Sequence, residues 1–148
     1  MKYVLDTNVI LAYLRKHSIW DQIEKPFGLF ETGTFMYIPS IVLGELKSLA
    51  IQNKWGAQRK LELQVLVNEL VPVRTITDDI IERYAEIDAF SQGRLRERQL
   101  KGSARNMGKN DLWIAATASV LNATLITTDK DFDHLNAEFL NVARFELI

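Results

Sequence analysis

Four acidic residues of this 148-residue sequence lie either at the end of a hydrophobic segment or within one. Asp6 follows the apolar stretch "YVL", and Asp129 follows "TLITT". Asp111 stands near the start of the apolar segment "NDLWIAATASVL", and Glu45 lies inside "IPSIVLGEL". Charged side chains are rarely buried unless they pair with another charge or bind an ion. These four carboxylates are therefore the first candidates for chemistry.

Carboxylates that converge on one place need a positive counter-charge. Two like charges about 4 Å apart repel by about 4 kcal/mol at an effective dielectric constant near 20, so the group either takes up protons or binds a cation. The chain has no cysteine, and its two histidines, His17 and His134, are far apart, which argues against a zinc site. Oxygen ligands alone favour Mg²⁺ or Mn²⁺. Such an ion activates water and stabilises the charge that develops in phosphodiester hydrolysis.

Each acid also has a simpler interpretation. Asp6, Asp111 and Asp129 all stand where a helix begins, so each could cap a helix or interact with its dipole. Thr7 or Asn8 could cap the first helix as well. Glu45 could be a surface residue that extends to solvent. Several acids at one sheet edge, with no cation supplied to match them, favour a shared metal site instead.

A basic stretch near the middle of the chain could contact phosphates. Glu97 is the only acidic residue within this stretch, although the whole chain has a net charge of -1. Its members are Arg94, Arg96, Arg98, Lys101, Arg105 and Lys109, a third of the 18 lysines and arginines. Such a run is either a solvated surface or a patch that binds the nucleic-acid backbone.

The elements that must position these residues alternate between strands and helices. The apolar segments "YVL", "TFMYIP", "LVPVR", "ATLITTD" and "FLNVARFELI" are predicted strands, and helical spacing fills the intervals. The second predicted helix runs from Ile19 to Phe30, and "KDFDHL" is predicted to form one helical turn. Short strands that are apolar on both faces indicate a parallel sheet with helices on both sides. We therefore expect an α/β fold of three layers, α/β/α, with a short and mostly parallel central sheet.

Length and composition predict a single domain over residues 1–148. Hydrophobic residues make up 47% and charged residues 25%, which is ordinary for a globular protein. No apolar run approaches the roughly 18 residues that a membrane span needs, and the N-terminus does not resemble a secretory signal. A cytoplasmic protein without membrane contact is the expectation.

Four motifs, in this order and spacing, resemble the PIN-domain ribonucleases, and more narrowly the VapC-type toxins of bacterial toxin–antitoxin pairs. They are "YVLDTNVILAYL", "IPSIVLGEL", "MGKNDLWIAATA" and "LITTDKDFDHL". The resemblance implies an endoribonuclease that depends on Mg²⁺ or Mn²⁺, acts on RNA, pairs with an antitoxin protein and forms a homodimer. By motif match it implies the catalytic and metal-binding acids Asp6, Glu45, Asp111 and Asp129, the additional acid Asp131, and the supporting polar residues Asn8 and Thr127.

Two alternatives remain open at this point. A PIN-like scaffold could bind RNA or protein without cutting, although such a protein would be expected to lack one of the acids. A phosphoaspartyl phosphatase would need Asp-x-Asp after its first strand, and this chain has Asp6-Thr7-Asn8. The segment "KSLAIQNKWGAQRKLE" matches no motif.

Overall fold

A five-stranded sheet organises residues 1–147, the part of the chain that this computed structural model describes. Its order is β3-β2-β1-β4-β5, and every neighbouring pair is parallel. The strands are β1 (Lys2–Leu5), β2 (Phe35–Pro39), β3 (Val71–Val73), β4 (Thr124–Thr127) and β5 (Asn141–Arg144). The last strand is shorter than the predicted "FLNVARFELI", whose final residue, Ile148, lies outside the described residues.

Six α-helices and one 3₁₀ helix connect these strands in the described part of the chain. They are α1 (Thr7–Leu14), α2 (Ile19–Phe27), α3 (Ser40–Gln52), α4 (Ala57–Asn68), α5 (Asp78–Ser91), α6 (Lys109–Leu121) and the 3₁₀ helix Lys130–Leu135. The second helix ends at Phe27 rather than at the predicted Phe30. Its capping residue, Gly28, takes a left-handed conformation with φ of 54°, which glycine adopts without steric cost.

The helices cover both faces of the sheet. The chain steps from β1 through β2 to β3 in one direction and continues through β4 and β5 on the other side of β1. Because such crossovers are right-handed, α1–α4 and α5–α6 lie on opposite faces. Accordingly α1 contacts α2, α3 and α4, whereas α5 packs mainly against α6. The middle strand is buried on both faces, with Val4 and Leu5 fully inaccessible. The predicted three-layer α/β/α fold is confirmed.

This topology creates one favoured place for a site. From β1 the chain continues to β2 on one side, and β4 pairs with β1 on the other side. A crevice forms at such a switch point, outside the carboxyl ends of the strands. The residues that directly follow β1 and β4 therefore come together, and these include Asp6 and Asp129.

One long connection between α5 and α6, residues 92–108, contains neither helix nor strand. It carries most of the basic residues noted in the sequence. Loops of this length in compact domains are uncommon and usually functional or disordered. Across residues 1–147, no helix combines the length and the apolar character needed to cross a membrane.

Candidate active site

Asp6 lies at the end of β1, with only 6% of its surface exposed. Its backbone N–H donates to the carbonyl of Ile126, 3.0 Å away, which extends the β1–β4 pairing by one residue. Its side chain accepts from the Thr7 N–H at 2.8 Å and from the Thr127 hydroxyl at 2.6 Å. Asp6 is therefore itself the N-cap of α1, and the expectation that Thr7 or Asn8 caps this helix is wrong.

The pKa of Asp6 is raised above its ordinary value. Burial is the main cause, because it disfavours the charged form. The hydrogen bonds from Thr127 and Thr7 act in the opposite direction, and the charges of Glu45 and Asp129 raise the pKa further. The protein thus holds this carboxylate in place with two donors while the other acids disfavour its charge.

Glu45 reaches the same place from α3. It is half-buried, and its Oε1 accepts a hydrogen bond from the Thr7 hydroxyl at 3.2 Å. Because Thr7 directly follows Asp6, this bond fixes the glutamate beside the end of β1. No motif in the sequence indicates that Thr7 orients an acid. Its position next to Asp6 was a signal, but its partner lies 38 residues away.

Asp111, Asp129 and Asp131 form the most compact part of the site. One carboxylate oxygen from each lies within 4.8 Å of the other two. Asp129 caps the 3₁₀ helix by accepting from the Asp131 N–H at 2.9 Å. The backbone N–H of Asp129 donates to the Thr127 hydroxyl at 3.0 Å. Because that hydroxyl donates in turn to Asp6, Thr127 links the acids at the ends of β1 and β4.

Asp111 lies within the electrostatic influence of the other four acids. The pKa of Asp111 is raised to about 6, first by burial and then by the charges of Asp6, Asp129, Glu45 and Asp131. Four ion pairs occur within residues 1–147, and none involves any of these five acids. We call this group the acid cluster. Since it contains only oxygen ligands and no paired lysine or arginine, its chemistry fits a hard divalent cation.

Replacing Thr127 with valine is expected to destabilise the metal-free protein by about 1–3 kcal/mol, because the variant leaves the buried Asp6 carboxyl without one of its hydrogen-bond donors. Urea unfolding followed by circular dichroism measures this change. Thr117→Val is the matched control, because Thr117 is equally buried and donates only to the carbonyl of Trp113. We expect a smaller loss there, and equal losses would show that Thr127 has no special relation to Asp6.

The remaining predicted residues differ in their surroundings. Asn8 is exposed, and no hydrogen bond found in residues 1–147 involves its side chain, so its supporting role stays a prediction. Arg98 is held by the chain itself. Its guanidinium donates to the backbone carbonyl of Glu138 and forms an ion pair with the side-chain carboxylate of the same residue at 3.8 Å. It also lies 4.3 Å from the ring centre of Phe139. The other basic candidates, Arg94, Arg96, Lys101, Arg105 and Lys109, are exposed.

A cleft of about 750 Å³ adjoins the acid cluster between α3, α6 and the residues that follow β3. Glu45 lines it together with the apolar side chains of Ile41, Leu49, Ile76 and Trp113. This cleft could not be predicted from the sequence, because its walls come from three separate segments whose apolar residues resemble ordinary core positions.

Comparisons with known proteins agree with this geometry. The family model for the PIN domain matches residues 3–138. Ribonuclease VapC2 of Rickettsia felis is 32% identical over 138 residues, which cover 91% of this chain and 92% of that protein. The crystal structure of VapBC2 from Rickettsia felis bound to a promoter DNA fragment matches with a TM-score of 0.74 and 26% identity, over 99% of this chain and 100% of that one. The structure of VapBC-1 from nontypeable Haemophilus influenzae matches with a TM-score of 0.73 and 26% identity, over 97% and 98% of the two chains.

Proposed function

The chain belongs to the PIN-domain family, and from this premise we propose that it is a metal-dependent endoribonuclease that hydrolyses RNA phosphodiester bonds. The observation that carries the proposal is the acid cluster, which gathers five carboxylates without a paired cation. The relative named Ribonuclease VapC2 supports RNA as the substrate. We propose one nuclease domain over residues 1–148.

Asp6, Asp111 and Asp129 are proposed to hold Mg²⁺ or Mn²⁺ directly or through water, with Asp131 as a further ligand and Glu45 as a ligand or a group that orients water. When bound, such an ion lowers the pKa of water and stabilises negative charge on the phosphoryl and leaving oxygens. Thr127 and Thr7 would keep the Asp6 and Glu45 carboxylates in position through the hydrogen bonds described above. Preorganised ligands of this kind are what a rigid strand end can supply.

One group of the acid cluster is well placed for proton transfer. Asp111 is not that group, because a cation bound to its carboxylate would lower the pKa that burial and the neighbouring acids raise in the metal-free protein. Glu45 borders the open cleft, so it can reach a water molecule that enters with the substrate. We propose Glu45 as the residue that orients or deprotonates this water.

The partners are proposed from the same relatives. The similar structures are of VapBC proteins, described as members of toxin–antitoxin systems in the Mycobacterium tuberculosis case. We propose that this chain is the toxin of such a pair, forms a homodimer and acts in the cytoplasm. An antitoxin that placed a lysine or arginine among the unpaired carboxylates would be favoured by charge.

The alternatives fit the structure less well. A non-catalytic scaffold has no need for five converging acids, and none of the predicted acids is missing. A phosphoaspartyl phosphatase would need a second acid two residues after Asp6, where this chain has Asn8 with its side chain exposed.

Purified protein is expected to cut single-stranded RNA with Mg²⁺ or Mn²⁺, to stop in excess EDTA, and to resume when the ion is restored. Gel analysis of end-labelled RNA measures the cleavage, and Asp6→Asn should lose it while keeping the circular dichroism spectrum of a folded protein. Asp21→Asn is the control, because Asp21 is an exposed residue of α2 outside the acid cluster. Persistent cleavage in EDTA would refute the metal requirement, and RNA binding without cleavage under any metal would support the scaffold.

A further inference from the structure

The long connection between α5 and α6 is anchored to the rest of the protein at two points. One is Arg98, which rests on Glu138 and Phe139 as described above. The other lies where the chain returns toward α6, in residues 103–107, which we call the return limb. These two anchors explain how a segment without regular structure keeps a defined path.

Ser91, the last residue of α5, is the centre of the second anchor and is fully buried. Its carbonyl accepts from the backbone N–H of Arg105 at 2.8 Å. Its hydroxyl donates to the sulfur of Met107 at 3.4 Å and lies 2.8 Å from Nε2 of His134. Through its backbone carbonyl and its hydroxyl, Ser91 thus joins α5 to Arg105, to Met107 and to a histidine 43 residues away.

His134 belongs to the 3₁₀ helix Lys130–Leu135, which Asp129 caps and which contains Asp131. The Ser91–His134 contact therefore ties the return limb to the element that carries two members of the acid cluster. The imidazole stacks parallel to the Phe90 ring, with ring centres 6.4 Å apart. His134 therefore packs against the end of α5 through both Phe90 and Ser91.

The return limb and Asp131 border a shallow depression of about 350 Å³, in which Ser103, Arg105 and Asn106 supply polar groups. The positive charge of Arg105 acts on this anchor. The pKa of His134 is lowered mainly by burial and further by the charge of Arg105. Arg105 takes part in none of the four ion pairs of the described residues. Arg105 therefore lines the same depression as Asp131 without forming an ion pair with it. Arg96 lines a different depression, together with Gln99 and Gly102.

We infer that Ser91 and His134 are positioning residues that hold Arg105 beside Asp131. There the Arg105 guanidinium binds one phosphate group of the RNA strand, next to the phosphate group that lies at the acid cluster. This inference rests on the proposed function, because it takes RNA as the ligand. Arg105 suits the role because a guanidinium binds phosphate oxygens in a bidentate manner. A fixed position matters because a cation held at one distance from the acid cluster sets where the strand lies relative to the metal.

Binding of a short fluorescent single-stranded RNA to the complete protein, followed by anisotropy in EDTA from low to moderate salt, tests this inference. The logarithm of the affinity falls with the logarithm of salt by about 0.7 per phosphate contact on a single strand. Arg105→Gln should reduce this slope by about 0.7, and Ser91→Ala should reduce it by up to the same amount. The double variant should show no further reduction beyond Arg105→Gln alone.

Two controls separate positioning from general damage. Ser91→Ala should still reduce the slope in an Arg96→Gln background, where Arg105 remains. Thr117→Val, which removes a buried hydroxyl from a different helix, α6, should leave the slope unchanged. If Ser91→Ala fails to fold, His134→Gln replaces it, with the same expected dependence on Arg105. In steady-state cleavage with Mg²⁺, Arg105→Gln and Ser91→Ala should each raise KM more than they lower kcat.

An equal effect of Ser91→Ala with and without Arg105 would overturn the inference, and so would an Arg105→Gln slope equal to that of the wild type. Either result leaves the proposed nuclease activity intact, provided that the wild type binds and cleaves RNA. A wild type that binds no RNA would instead refute the proposed function, and this inference with it.

Discussion

Asp111→Asn is expected to abolish metal-dependent RNA cleavage and, in EDTA, to raise the melting temperature of the protein. Cleavage is lost because the variant removes one of the three most closely grouped carboxylates. Stability rises because the wild-type carboxylate is charged above its pKa of about 6 although burial and four neighbouring acids disfavour that charge. An amide of similar shape removes the repulsion.

The size of the effect follows from the raised pKa. One pKa unit corresponds to about 1.4 kcal/mol, and solvent screening reduces the value for a half-exposed side chain. About 1–2 kcal/mol then remains, which for a protein of this size raises the melting temperature by roughly 4 °C. Asp111 is a better choice than Asp6, because Asp6 accepts hydrogen bonds from Thr7 and Thr127 that its replacement would disturb.

Asp79→Asn provides the matched control. Asp79 stands in the first turn of α5, as Asp111 stands in the first turn of α6, but it is exposed and lies outside the acid cluster. Removing a negative charge near a helix N-terminus costs about 0.3–1 kcal/mol, so this variant should melt slightly lower and cleave RNA normally. Thermal unfolding by circular dichroism at pH 7.5 compares the two. An Asp111→Asn variant that also melts lower would mean that Asp111 acts only as a helix-dipole partner.

The positions of the acids could be predicted from the sequence because they depend on local order. A short apolar strand followed by an acid places that acid at the carboxyl edge of a parallel sheet, whatever the distant residues are. Asp6 and Asp129 reach their places in this way, at the ends of neighbouring strands. Asp6 caps α1 and also belongs to the acid cluster, so its capping role does not exclude the proposed role as a metal ligand.

Contacts between distant residues could not be predicted in the same way. Arg98 belongs to a run of cations that indicates a solvated or phosphate-binding surface, yet its guanidinium lies over Phe139 and donates to the carbonyl of Glu138. The bond between Thr7 and Glu45 depends on how α3 packs beside β1. Sequence patterns indicate which face of an element is buried, but the pairing of polar side chains depends on packing between elements.

The free energy of unfolding of the metal-free protein should increase as the pH falls from 7.5 to 5, as far as Asp111 determines it. The folded pKa of this group is about 6 and its ordinary value is 3.8, so between these values the folded state binds more protons than the unfolded state. Stability must then decrease as the pH rises through this interval. His134 acts in the opposite direction, because its lowered pKa makes the folded state bind fewer protons below the ordinary value of 6.5.

The difference between wild type and Asp111→Asn isolates the contribution of Asp111, because His134 is present in both proteins. In EDTA, Asp111→Asn should be more stable than the wild type at pH 7.5. This advantage should shrink to about half at pH 5 and vanish only below the ordinary pKa of 3.8, where Asp111 is protonated in the folded and the unfolded state alike. Mg²⁺ or Mn²⁺ at about 100 times its dissociation constant should stabilise the wild type by about 2.7 kcal/mol. This gain should shrink at low pH, because protons compete with the ion for carboxylates. Urea unfolding of both proteins at pH 7.5 and pH 5, with and without metal, measures the free energies of unfolding that these comparisons need. A difference in EDTA that does not vary with pH, together with a wild type insensitive to both ions, would show that these carboxylates neither repel one another nor bind a metal.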